Sequence, residues 1–474
     1  MEISPFQYII SNKKIDFPMS NGEIFYHNNL NIQIHKSNTE NLVCKEDIIF
    51  FGECFDFENS KQSNSEIVDS LIHLSLDQKI EKINKLTGFF IFIFFESGKN
   101  YLFNDAAGQL ETYIYHQNDE IYISAQPNFI ISTGEEKGIY HENAPLYIIE
   151  KKINIFSKTP FKYINKLISN FYYDIENKEY IRYYPTASLP ILDDKTVAKE
   201  ALTILESSIE SIAYRKDVAL AVTAGWDSRI LFAASLKNAD KADYFVLNHN
   251  TEEGKQDVKI STEIVNSFSR ELKVIDYNLS NIELAENTKP IIWKDEVKGH
   301  KIAALMNIHF PERYIINGNI SEVARNFYDP LPNSLSLSDI CFILGLKDGE
   351  YEKNAIKEWK ETTTHNIHLL DYIYWEHKMP NWAGASKSIS NTQNVVISPF
   401  NNRYLLNLLL STKRKNRDKY YHKVYELILK ITDEKLAQIP INPTKKHHQI
   451  AMMKKLGIYP FYRSFFFKMR KLKF

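Results

Sequence analysis

The sequence predicts a chain of two fold types, α+β followed by α/β: a β-rich sandwich domain over residues 1–155, a connecting segment over 156–190, and a doubly wound parallel sheet with helical additions over 191–474. Three observations predict it. Short aromatic and β-branched runs separated by turn residues fill the first third of the chain, the pattern of short strands. Pro160, Pro185 and Pro190, set among many tyrosines, then break the rhythm. From Lys195 onward strands and helices alternate, which implies a parallel sheet with helices on both faces.

In chain order, Ile48–Phe51, Phe89–Phe95, Tyr101–Phe103, Thr112–Tyr115 and Glu120–Ser124 read as strands. Ser65–Leu76 is the main helical interruption, with Ile67, Val68, Leu71, Ile72 and Leu74 on its apolar side. The unbroken apolar run Phe89–Phe95 suits a strand covered on both faces. Lys195–Ile212 is then a helix, Val218–Val222 a buried strand and Ser228–Leu236 a helix. Tyr244–Asn248 and Leu272–Tyr277 are strands flanking a helix at Gln256–Phe268, and from about Ile302 the pattern is mainly helical.

The 474 residues carry 58 Lys+Arg against 59 Asp+Glu, a net charge of −1. That balance supplies no global field for nucleic acid. Cys44, Cys54 and Cys341 are too few and too scattered for a disulfide framework or a Cys-rich zinc site. The start M-E-I-S-P-F has neither the basic residues nor the apolar stretch of a signal peptide. No apolar run approaches the ~20 residues that span a bilayer, so a cytoplasmic location is expected. Glycine is scarce, 15 in the whole chain, so a glycine kept between apolar strands marks backbone that needs it.

Chemistry concentrates in V-A-L-A-V-T-A-G-W-D-S-R, Val218–Arg229. A strand runs through Thr223, Ala224, Gly225, Trp226, Asp227 and Ser228 directly into a helix. Such a loop aims N–H groups and a helix N-terminus at one spot, which suits a phosphate. Thr223 and Ser228 add hydroxyls, and Asp227 has the chemistry to hold a magnesium ion. The plainer alternative is a strand-to-helix turn capped by Asp227 and Ser228. A second strand end, I-I-N-G-N-I-S-E-V-A-R at Ile315–Arg325, presents Gly318 and a second carboxylate, Glu322.

These stretches resemble the asparagine synthetase family of the ATP pyrophosphatase group. Gly225, Asp227 and Ser228 match its S-G-G-x-D-S loop, Thr223 is a conservative change, and Ala224 replaces the first glycine. In the family's G-x-G-x-D-E loop, Gly318 matches, Ile320 stands at the second glycine, Glu322 takes the place of the aspartate and Val323 that of the glutamate. The first half is similar to the family's glutaminase (Ntn-type) domain through G-F-F-I-F-I-F-F-E and N-D-A-A-G-Q-L-E-T-Y-I-Y, where Gly88, Phe89, Asp105, Gly108 and Tyr113 hold the pattern, and through F-G-E-C-F-D at Phe51–Asp56. The glutaminase itself reads as lost. Position 2 is Glu2 where a cysteine nucleophile is required, and Phe51 replaces the oxyanion-stabilising amide.

The resemblance implies an ATP-dependent, AMP-forming amide ligase: adenylation of a carboxylate, then transfer of ammonia or an amine. It implies ATP as cofactor at Thr223, Ala224, Gly225, Trp226, Asp227, Ser228, Leu247 and Gly318, and Mg2+ on Asp227 and Glu322. P-F-N-N-R at Pro399–Arg403 matches the family's P-F region, after which a lysine balances developing charge; Lys419 is the expected cation, with Arg417 or Lys423 in reserve. Asn319 and Val395 stand where relatives place a base, and an amide does not accept a proton at neutral pH; Glu376 is the expected substitute. The substrate is an unidentified small-molecule, glycan or peptide carboxylate. Rival readings are a catalytically inactive binding subunit, a peptide- or lactam-forming cyclase of the same family, and another ATP pyrophosphatase chemistry on tRNA or sulfur.

From Lys435 to Phe474 there is no acidic residue, while Lys454, Lys455, Arg463, Lys468, Arg470, Lys471 and Lys473 interleave with Phe461, Tyr462, Phe465, Phe466 and Phe467. Such a terminus either rests on an anionic membrane surface or packs its aromatics on the protein. Lys445, Lys446, His447 and His448 lack metal-ligand spacing.

Overall fold

The computed structural model describes residues 3–15, 20–237, 242–284, 292–294, 296–328, 331–364, 367–418, 420–443, 449–450, 452–453 and 456–471. The molecule is mixed α/β with two antiparallel sheets and one parallel sheet. The first half contributes β1 (Tyr8–Ser11), β2 (Gly22–His27), β3 (Leu30–His35), β4 (Leu42–Lys45), β5 (Ile48–Asp56), β6 (Leu86–Glu96), β7 (Lys99–Asn104), β8 (Tyr113–Gln117) and β9 (Glu120–Ser124). The stretch read as a connection, 156–190, departs from that expectation. It supplies β10 (Ile164–Lys166), β11 (Phe171–Asp174) and β12 (Glu179–Arg182), which extend both sheets. Strands of three or four residues are too short to show a period between prolines. The sheets run β10-β8-β9-β1-β3-β2 and β12-β11-β7-β6-β5-β4.

Alternation along β6 explains the layering. Phe89, Ile91 and Ile93 join Tyr8, Ile10, Ile32 and Ile34 of the facing sheet in one core. Phe90, Phe92 and Phe94 point the other way, onto Ile67, Val68, Leu71 and Ile83. Ile67 and Val68 come from the short helix Asn64–Asp69, Leu71 from the turn after it and Ile83 from the helix Leu76–Asn84; each helix is started by a serine capping box, and the single helix expected over Ser65–Leu76 is not formed. Where β5 and β6 pair at Gly52 and Gly88, a Cβ on either glycine meets a carbonyl oxygen, at 2.2 Å (Phe89) and 2.1 Å (Glu53). The two strands therefore approach as only glycine permits.

The second half supplies β13 (Val218–Ala221), β14 (Ala242–Asn248), β15 (Leu272–Asp276), β16 (Tyr314–Ile316) and β17 (Val396–Ile397), all parallel in the order β15-β14-β13-β16-β17. One face carries Val218, Leu220 and Tyr244 into the main core with the helices Asp194–Arg215, Trp226–Ser235 and Glu252–Asn266. The other packs Ala219, Phe245 and Ile315 on Leu305, Met306 and Phe310, at the end of the helix Val297–His309. Between β13 and β16 the strand order reverses, which in open α/β sheets is where a ligand crevice opens at the carboxyl ends of the strands.

The two halves are joined by buried polar side chains. Asn401 donates to Gly88 O and to Asp105 Oδ1, the latter at 2.9 Å, and Arg403 reaches Asn84, Asp105 O and Asn170. The P-F-N-N-R motif thus docks on the sandwich. Lys387 lies in the same seam, 6% exposed, its Nζ 3.7 Å from the Phe89 ring centre and without a hydrogen-bond partner among the described residues. Burial drives its pKa well below the usual lysine value. The folded pKa is thus below the unfolded one, so the penalty is complete at low pH and is relieved as pH rises toward the unfolded lysine pKa. Lys387→Met is expected to raise the unfolding midpoint by the equivalent of about 1–2 kcal/mol and to remove the wild type's gain in stability toward alkaline pH. Thermal unfolding of both proteins from pH 7 to 10 checks it; a destabilised variant would show that the amine holds an interaction.

Candidate functional site

The loop Thr223–Ser228 leaves the carboxyl end of β13 at the switch point. Ser228 Oγ accepts from Thr223 N (3.0 Å) and contacts Thr223 Oγ1 (2.8 Å), while Gly225 N donates to Thr223 Oγ1 (3.2 Å). The two expected hydroxyls therefore shape the loop. Ala224 N donates to Asp257 Oδ1 at 2.9 Å, so a carboxylate from the next helix already sits on one loop amide. Arg229, fully buried, donates to Ile439 O (2.5 Å) and Pro440 O (2.9 Å), and Asn442 N reaches Ala224 O, so a C-terminal segment covers the loop.

Asp227 faces the second loop, which leaves β16. Ser321 donates to Asp227 Oδ1, and Arg325 Nη2 lies 2.7 Å from Asp227 Oδ2 and 3.5 Å from Glu322 Oε1. The two carboxylates expected to share a cation share this guanidinium. Gly318 makes the approach possible: a Cβ there would stand 2.5 Å from Asp227 Cβ and 3.0 Å from Asp227 C. Two residues on, Ile320 adopts φ +78° where the resembling family has glycine. A β-branched residue is strained there, and complete burial of its side chain offsets the cost. Desolvation and the neighbouring Asp227 push the Glu322 pKa up to about 7 against the opposing pull of Arg325.

The structure brings together Thr223, Ala224, Gly225, Asp227, Ser228, Gly318 and Glu322. Trp226 is 6% exposed and packs toward Tyr425, so its ring belongs to the core. Leu247, near the end of β14, is partly buried among Phe245 and Ile275. Glu376 is not brought to the loops. It is fully buried in a π-helix, Tyr374–Ala383, and Arg182 grips it through both guanidinium nitrogens, Nη2 at 2.6 Å, with Asn170 and Trp359 donating at 2.9 and 2.7 Å. Every acceptor site is engaged, which leaves no free lone pair for a substrate proton. Lys419 lies outside the described residues. Arg417 is buried against Asp371 at 3.0 Å, and Lys423 pairs with Glu426 at 3.6 Å; Arg417 O accepts from Asn326 N, which ties that stretch to the second loop.

Arg325, Ser321 and Asp257 are site residues that sequence reasoning missed. Arg325 closes the quoted I-I-N-G-N-I-S-E-V-A-R, and its i+3 spacing from Glu322 was the available signal; Asp257 had none. For magnesium, the donor set fits. Two hard carboxylates suffice when phosphates and water complete the shell, and Glu322 Oε2 is buried with no hydrogen-bond partner among the described residues. Among the described residues no group of three or more His, Cys, Asp or Glu side chains converges on a metal site.

Burial pushes the Cys54 thiol of the sandwich far up, and Cys44 of the sandwich and Cys341 of the second half are each pushed up to about 11, so none is poised as a thiolate. Asp105 accepts four backbone N–H groups, from Phe90, Ala107, Gln109 and Leu110, and acts as a turn anchor. No helix among the described residues is long and apolar enough to cross a membrane.

No family model matches the chain, and no curated protein matches it. Among solved structures the chain is similar to an NMN synthetase from Francisella tularensis, at 12% identity and TM-score 0.22, covering 37% of this chain and 96% of that one. It is also similar to a B. subtilis glutamine PRPP amidotransferase complexed with ADP and GMP, at 10% identity and TM-score 0.26, covering 58% and 86%. A third similarity is to an allosteric regulatory enzyme of purine biosynthesis, at 9% identity and TM-score 0.24, covering 58% and 75%. Scores of this size assign no family.

Proposed function

We propose that the protein is an ATP-dependent, AMP-forming amide ligase without glutaminase activity of its own. One observation carries the reading: two carboxylates from the loops after adjacent strands at the switch point of a parallel sheet, Asp227 and Glu322, are held on one cationic group, Arg325. A carboxylate substrate attacks the α-phosphorus of ATP, pyrophosphate departs, and ammonia or an amine then displaces AMP from the acyl carbon. The N-terminal amides of the helix Trp226–Ser235 hold the leaving pyrophosphate, on a loop whose shape the Thr223 and Ser228 hydroxyls set by bonding to each other. Arg325 supplies positive charge beside it, and a magnesium ion on Asp227 and Glu322 would neutralise phosphate charge. With Asn319 an amide and Glu376 sealed in an ion pair, the nucleophile arrives as free ammonia or is deprotonated by the substrate itself.

The second reading, a non-catalytic binding subunit, is favoured by Asp257 on the Ala224 amide and Arg325 on Asp227, because both groups satisfy the loops without a ligand. Titration of ATP with magnesium into wild type and Asp227→Ala separates the two. The ligase reading expects magnesium-dependent binding that Asp227→Ala loses by at least about tenfold, equivalent to 1.4 kcal/mol, and AMP with pyrophosphate when a panel of acids is added. Wild type that binds no nucleotide, with or without the acids, selects the binding subunit.

A further inference from the structure

The aromatic, basic C-terminal stretch has an exposed apolar face. Residues Tyr459–Lys471 form a helix of 13 residues. Its inward contacts are Tyr459, 4% exposed, and Phe467, whose ring meets Phe342 edge-on at 5.2 Å. On the opposite side Phe461, Phe465 and Met469 repeat every four residues and stand 79%, 61% and 39% exposed, with Tyr462 and Phe466 beside them at 40% and 39%. Tyr462 and Phe466 touch at 4.5 Å, so these rings form one continuous stripe. Leu456 and Ile458, just ahead of the helix, are exposed as well. Of the aromatics expected to pack on the protein, Phe467 does so against Phe342.

The charge pattern says what covers this stripe. No carboxylate occurs after Glu434, while Arg463, Lys468, Arg470 and Lys471 lie within the helix and Lys454 and Lys455 just before it. A protein partner with a mixed surface does not require forty residues without an acid; a sheet of lipid phosphates does, because each cation near it gains while each carboxylate loses. Helical spacing sets residues 468 and 471 on the flank of the stripe beside Phe461, and residues 463 and 470 on the side of Tyr459 and Phe467. An apolar stripe bordered by a basic flank is the pattern of a helix that lies in the interface of an anionic bilayer.

We infer that this helix docks the protein on an anionic bilayer surface, lying in the interface without crossing it. The inference is independent of the proposed ligase activity. Flotation of the full chain with neutral phosphatidylcholine vesicles and with vesicles containing phosphatidylglycerol tests it. The expected result is binding to the anionic vesicles, at least tenfold weaker on neutral ones and falling with salt. Phe461→Ser with Phe465→Ser is expected to lose it tenfold at an unchanged unfolding midpoint, since both rings are exposed, and Lys468→Gln with Arg470→Gln and Lys471→Gln to lose the salt dependence. No flotation with either vesicle, or equal binding to both, overturns the inference. So does a concentration-dependent dimer that the double phenylalanine variant abolishes, because the stripe then covers a second copy of the chain.

Discussion

Glu376→Ala is expected to destabilise the protein by about 3–5 kcal/mol, as for other buried ion pairs broken from one side, with no direct effect on the nucleotide loops. The carboxylate is fully buried and takes four donations, two from Arg182, one from Asn170 and one from Trp359. Removing it strands a guanidinium held between the rings of Phe171 and Tyr372, at 4.5 and 4.9 Å. Arg182 ends β12 of the sandwich, whereas Glu376 belongs to the second half, so the loss loosens the seam between them. Arg182→Met combined with Glu376→Leu should recover much of the loss, because a buried pair replaced as a unit leaves no unpaired charge. Denaturant unfolding of the three variants measures this. An unchanged midpoint for Glu376→Ala, together with lost amide formation, would restore Glu376 to the role of a base.

What the sequence made legible was decided by periodicity and by loops with a single plausible geometry. β6 could be read because an unbroken apolar run needs two covers, and both the facing sheet and the helices are present. The alternation from Asp194 to Asp276 was legible because β13 and the middle of β14 are buried apolar runs and each helix is long enough to show its period. The edge strands β2, β4 and β12 were not, since they are half-exposed, and β10 and β11, three and four residues long, are too short to show a period although most of their residues are buried. At the site, the two loops could be found from strand ends and their carboxylates from the resemblance. That a guanidinium stands between the carboxylates could not be found that way, because it depends on how two loops meet. Glu376 shows the converse: a lone glutamate among aromatics is equally consistent with a base and with half of a buried ion pair, and only Arg182, 194 positions away, decides.

Gly318→Ala tests whether the two loops act as one site. Its added methyl would meet Asp227 Cβ at 2.5 Å, Asp227 C at 3.0 Å and Ser228 N at 3.2 Å. Two of those atoms are backbone at the start of a buried helix, so no side chain can rotate aside and the loops must part. Parting draws Asp227 from Ser321 and Arg325, so the two carboxylates no longer share a partner. The variant is expected to remain folded, at a cost of about 1–3 kcal/mol for overpacking, and to bind ATP with magnesium at least about tenfold more weakly. Asp227→Ala, by contrast, removes the carboxylate without forcing the loops apart and should lose the same binding. Equal losses of affinity from a steric change in one loop and a charge change in the other are what a shared site requires. If Gly318→Ala binds nucleotide like wild type, Asp227 acts without the second loop, and Glu322 and Arg325 drop out of the site together.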